Sequence, residues 1–195
     1  MKLNDEDSTA RTVIASDARS THGEPTAHEQ QSLRALIERI VATHHVFTRD
    51  AVAKIDALVA KALARDANEH PELGSIARCA RALCDDLLPH LMREERVLFP
   101  WIEAAEAARD RGAVPPPAHF GTVKNPIRVM DHDHDVVKGL LRELRERTSE
   151  YSAPAWASEE TAELYRTLQA LDRDLVEHIH WESDVLFLRA VELER

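Results

Sequence analysis

Cysteine is nearly absent from the 195 residues: only Cys79 and Cys84 occur, which excludes a disulfide framework and a thiolate zinc site. Five glycines are too few for a turn-rich all-β protein, and aromatic residues make up only 5% of the chain. Basic residues are outnumbered by acidic ones, 25 to 35, leaving a net charge of −10. That disfavours sequence-independent binding to nucleic acid, which needs a basic face to displace counterions. No stretch approaches the ~20 uninterrupted apolar residues of a membrane-crossing helix. Residues 1–26 are polar, with neither helical periodicity nor the apolar core of a secretory signal. They read as a mobile tail, and a cytoplasmic location is the expectation. In place of these missing features the chain has Ala, Leu, Glu and Arg in abundance, which is helix composition, and eleven histidines.

The apolar periodicity predicts four helices. Residues 27–68 place Leu33, Ile37, Val41, His45, Thr48, Val52, Ile55 and Val59 at three/four spacing. Pro71 ends that pattern. Residues 72–108 form the second, with Leu83, Leu87, His90, Glu94, Val97 and Trp101 on one stripe; Pro89 and Pro100 should bend or interrupt it. A loop with Gly112, Pro115-Pro116-Pro117 and Gly121 follows. Asn125-Pro126 reads as an N-cap and first helical residue, opening a helix with Ile127, Met130, His134, Val137, Leu141 and Leu144 on its face. The last helix, 154–192, aligns Leu164, Leu168, Leu171, Leu175, His178, Glu182 and Val185. Four apolar stripes make one core, so residues 27–195 are expected to form a single all-α domain, an up-down four-helix bundle.

Polar residues interrupt each stripe. Every helix carries an inward histidine (His45, His90, His134, His178), and two of these are followed four residues later by glutamate, in His90-x3-Glu94 and His178-x3-Glu182. Residues four apart lie on one helix face, so each pair points inward together. A single inward histidine is ordinarily a hydrogen-bonded core residue, and a single His-x3-Glu is ordinarily an exposed pair. Two copies on apolar stripes, with no Lys or Arg beside them, require a cation from outside. Four imidazoles and two carboxylates exceed the needs of one tetrahedral zinc and suit two ions of borderline hardness, iron before manganese. Zinc and mixed occupancy stay open. His132 and His180 lie two residues from His134 and His178, about 200° around a helix, and should face outward. Periodicity does not separate His44 from His45. Cys79 and Cys84 are not spaced as a redox pair and read as small apolar fillers.

With these residues in hand the chain resembles the bacterial hemerythrin-like (HHE) proteins, specifically the di-iron proteins that repair iron–sulfur clusters. The likeness rests on His90-Leu-Met-Arg-Glu94-Glu-Arg-Val-Leu-Phe-Pro100, on Val129-Met-Asp-His-Asp-His134-Asp, and on His178-Ile-His-Trp-Glu182-Ser-Asp-Val-Leu-Phe187. It implies a hemerythrin-like four-helix bundle and selects His45 over His44. The iron ligands it implies are His45, His90, Glu94, His134, His178 and Glu182. It further implies two iron ions, bridged by both glutamates and an oxo or hydroxo group. Members of that family usually carry an N-terminal domain with a cysteine motif, whereas residues 1–26 here contain no cysteine. Leu188 stands where the family usually has proline. Asp86 and Asp133 occupy positions that are acidic in the family, where they would orient imidazoles, line an access path or simply be solvated.

The function so implied is binding of NO or O2 at the iron pair, with protection or repair of iron–sulfur clusters under nitrosative or oxidative stress. Its partners would be a small diatomic ligand and damaged iron–sulfur proteins, with no nucleic acid and no membrane. The alternatives are hemerythrin-type O2 storage or sensing without turnover, and a scaffold with a structural metal. Whether the chain is an enzyme, reducing NO or donating iron, is left open by the sequence.

Overall fold

The computed structural model describes residues 31–195; the tail expected over 1–26 lies outside them. All regular structure among the described residues is helical. It comprises α1 (Leu33–Ile40), α2 (Val46–Asp66), α3 (Leu73–Arg93), α4 (Phe99–Asp110), α5 (Lys124–Arg147), α6 (Glu159–Ile179) and α7 (Phe187–Glu192). Three π-helical turns, Val41–His45, Glu94–Leu98 and His180–Leu186, join α1 to α2, α3 to α4 and α6 to α7. Seven helices thus form four continuous rods, the third being α5 alone.

Cross-rod contacts establish the up-down order. The first and fourth rods meet at Lys54 and Glu163 and again at His44 and Asp174, so numbers rise on one as they fall on the other. The second and third rods do the same at Cys79 with Leu140 and at His90 with Asp133. Glu95 with Arg49, and Ser183 with His134, close the square.

Side chains rather than backbone start most of the rods. Ser32 accepts the Ala35 N–H at the start of α1, and Glu106 of α4 accepts the N–H groups of Leu33 and Arg34 at 2.6 and 2.9 Å. A carboxylate there satisfies two of the orphan donors of a helix start and complements its positive dipole end. Ser158 caps α6 through the Thr161 N–H, while Asp66 accepts from the Ser158 N–H and the Thr161 hydroxyl. The fourth rod therefore starts at Glu159, not at 154. The expected Asn125 cap is also corrected. Helix α5 begins at Lys124, Asn125 donates to the Phe120 carbonyl, and Glu194 from the far end of the chain accepts the Val123 N–H at 2.7 Å. Pro126 still falls in the first turn, where no N–H is needed.

The prolines of the second rod act unequally. Helix α3 runs through Pro89, which is exposed, as is Asp85, whose carbonyl the missing Pro89 N–H would have bonded. The interruption comes at the π turn Glu94–Leu98, and Pro100 opens α4. No proline marks the other two π turns, and helical periodicity does not foresee them.

Two apolar clusters make up the core. One joins α2, α3, α5 and α6 and includes Ile55, Leu83, Leu141 and Leu171; the other joins α1, α4, α7 and the start of α5 and includes Leu36, Ile102, Met130 and Phe187. Cys79 and Cys84 are buried and unpaired in the first cluster, and burial pushes the Cys84 thiol up to about 12. They serve as fillers. Between the clusters lies a polar layer.

Candidate metal centre

Each rod sends one imidazole into that layer, and the second and fourth rods each add a carboxylate. His45, His90, Glu94, His134, His178 and Glu182 are all at most 2% exposed. The structure brings all six together. His45 Nε2 lies 3.1 Å from His178 Nε2, and His90 Nε2 lies 3.2 Å from His134 Nε2, so the cluster contains two imidazole pairs. The carboxylates lie between them. Glu94 turns Oε2 toward His45 at 3.5 Å and Oε1 toward His90 at 3.3 Å. Glu182 turns Oε1 toward His178 at 2.8 Å and Oε2 toward His134 at 3.1 Å. Each glutamate therefore divides its two oxygens between the two pairs.

The π turns account for part of this placement. A wider turn shrinks the angular step per residue, so neighbours in sequence point more nearly the same way. Adjacent residues in each π turn reach the polar layer or its immediate surroundings: His44 with His45, Glu94 with Glu95, Glu182 with Ser183. The outward expectation for His132 and His180 holds, both being exposed. His44 is buried but turned aside, its Nδ1 2.9 Å from Asp174 Oδ1.

Three of the four imidazoles are braced through their second nitrogen. His45 Nδ1 lies 2.7 Å from Glu95 Oε1, which also accepts from Arg49 at 2.7 Å. His90 Nδ1 lies 3.3 Å from Asp133 Oδ2, which accepts from Arg93 at 2.5 Å. His134 Nδ1 lies 3.1 Å from the Ser183 hydroxyl. Sequence reasoning named Asp133 without deciding its role and missed Glu95 and Ser183. Asp86 is exposed and belongs to the solvated face. Glu95 directly follows Glu94, a position that regular helical phase turns away from the core, and only the π turn and the neighbouring rod direct it to His45.

The charges in the layer balance only with added positive charge. Burial pushes the Glu182 carboxyl up, but the imidazoles of His178, His134 and His45 outweigh this and hold it well below the usual carboxylate range. Burial pulls the His90 imidazole down, yet Glu94, Glu182 and Asp133 lift it to about 9. The same opposition raises His178, with Glu182 as the main partner. With no metal bound, protons held on the imidazoles of His90 and His178 thus offset the charge of Glu182. Even so, both oxygens of Glu94 and Oε2 of Glu182 are buried with no hydrogen bond of proper geometry. Orphaned buried carboxylate oxygens facing imidazole nitrogens are the donor set of a transition-metal site, and the residues present fit one. The donor atoms form two four-residue groups, His45, Glu94, His178, Glu182 and His90, Glu94, His134, Glu182, which share both glutamates.

Fold and site together define a helical-bundle protein with a buried His/Glu cation site. Residues 35–190 match the model of the Hemerythrin HHE cation binding domain, and the chain belongs to that family. Among its relatives, it is 31% identical to the iron-sulfur cluster repair protein DnrN of Neisseria gonorrhoeae over 158 residues, covering 81% of this chain and 91% of that protein. It is 29% identical to the iron-sulfur cluster repair protein YtfE of Yersinia pseudotuberculosis over 164 residues, covering 84% of this chain and 68% of that one. No helix among the described residues is long and apolar enough to cross a membrane.

Proposed function

We propose that this chain is a non-haem di-iron protein that binds NO or O2 and protects or repairs iron–sulfur clusters in the cytoplasm under nitrosative or oxidative stress. The observation that carries the reading is the division of Glu94 and Glu182, each offering one oxygen to either imidazole pair. Two ions sharing two carboxylates use every inward donor, whereas one ion would leave an imidazole pair and half of each carboxylate without purpose. His45 and His178 would hold one ion and His90 and His134 the other. Iron there supplies a redox-active cation pair with affinity for small diatomic ligands.

The chain's own residues do the remainder. Glu95, Asp133 and Ser183 fix the orientation of three imidazoles, keeping Nε2 free to ligate. The apolar clusters on either side keep bulk water out, and the near-complete burial of the six side chains favours a diatomic over an organic substrate. The names of the relatives support repair as the role and iron–sulfur proteins as partners. A cytoplasmic site of action fits the two unpaired thiols.

The test begins with iron quantitation on anaerobically purified protein, where two ions per chain are expected. Stopped-flow spectroscopy of the reduced protein with NO and O2, and reactivation of a cluster-damaged iron–sulfur enzyme, follow. A fully loaded sample with a single ion refutes the di-iron reading. A stable, reversible oxygenated species without reactivation would make the chain an O2 carrier instead.

A further inference from the structure

The four inward imidazoles are not held alike. His45, His90 and His134 each meet a carboxylate or hydroxyl at Nδ1, but the Nδ1 of His178 is buried and meets no protein partner. Its ring is held by its face. His44 lies parallel to it, with 5.4 Å between centroids and 3° between planes. His44 is fixed in turn by Asp174, one helical turn before His178 on the same rod. A partner on the second nitrogen fixes the tautomer and raises the basicity of the ligating nitrogen, and its loss typically weakens metal binding by about 10- to 100-fold. The half of the cluster built on His90 and His134 has two such partners, and the half built on His45 and His178 has one.

Resting on the di-iron reading, we propose that the ion between His45 and His178 is the exchangeable one, and that His44, held by Asp174, is the positioning residue that sets how readily it leaves. The stacked ring restricts rotation of His178 without strengthening its nitrogen as a donor. The ligand is thus kept in place while remaining the weakest of the four. A chain built this way has one ion to give up and one to keep, as a donor of iron to depleted clusters requires.

The experiment mixes anaerobically loaded ferrous protein with excess colorimetric ferrous chelator and follows the absorbance. Release is expected in two phases of one ion each. His44→Leu should speed the fast phase by about tenfold and leave the slow one unchanged. His44→Phe, which retains a flat ring, should restore the wild-type rate, and Ser183→Ala should speed the slow phase instead. Helical circular dichroism reports folding, and Asp174→Asn serves in place of His44→Leu if that variant fails to fold. Release of both ions in one phase, an effect of His44→Leu on the slow phase, or no effect at all overturns the proposal. Fewer than two ions per chain before the chelator is added refutes the di-iron reading itself, so the two failures are distinguishable.

Discussion

Stripping the metal should reveal a stability profile that falls as the solution becomes more alkaline. In the metal-free chain the His90 imidazole is raised from 6.5 to about 9 by Glu94, Glu182 and Asp133 against the pull of burial. A group whose folded value lies above its unfolded one stabilises the fold fully below the unfolded value and ceases to do so above the folded one. At about 1.4 kcal/mol per unit, His90 contributes about 3 kcal/mol that is present at pH 6 and gone above pH 9. His178 is shifted the same way and adds to the loss. Glu182 has the opposite sign: its carboxyl is held low, so its contribution is complete above about 4.5 and is lost only as pH falls. The metal-free protein is therefore most stable between about pH 4.5 and 6.5. For a chain of this size, about 2–4 °C per kcal/mol gives a fall in Tm of about 6–12 °C between pH 6 and pH 9.5. The loaded protein should lack this fall, because metal cations replace the protons and bind more tightly as the imidazoles deprotonate. Differential scanning calorimetry of both forms at the two pH values is the assay. A metal-free Tm that is flat or rises toward pH 9.5 refutes the charge balance described here.

Three further outcomes are expected. His134→Ala should lose most of the bound iron and His132→Ala none, measured as iron per chain, since one residue faces the layer and the other is exposed; equal losses would overturn the assignment of helix faces. Glu95→Ala should weaken metal binding by about 10- to 100-fold in a chelator competition titration, because it frees His45 Nδ1. Glu106→Ala removes both hydrogen bonds to the start of α1 and should destabilise the protein by about 2 kcal/mol in urea unfolding, with iron content unchanged.

Much of this architecture is legible in the sequence because helical periodicity is a local property. The three/four spacing of Leu164, Leu168, Leu171, Leu175, His178 and Glu182 needs no knowledge of other rods to mark one face as inward. The same holds for Ile127 through Leu144 and for the outward phase of His132 and His180. Four such stripes, interrupted by His and Glu, determined the bundle and the convergence of six polar side chains. The boundaries and the braces are not local. Helix α5 starts at Lys124, just after Val123, whose N–H is taken by Glu194 arriving from the other end of the chain. Glu95 and Ser183 reach imidazoles on neighbouring rods from π turns, which helical periodicity does not foresee. Periodicity placed His44 and His45 equally well. The packing of the fourth rod separates them, setting His45 against His178 and drawing His44 onto Asp174. Sequence alone determined which faces must be buried, since burial follows the phase of a single helix. Only the tertiary structure decided which atom meets which, since that depends on the angle and register between helices far apart in the chain.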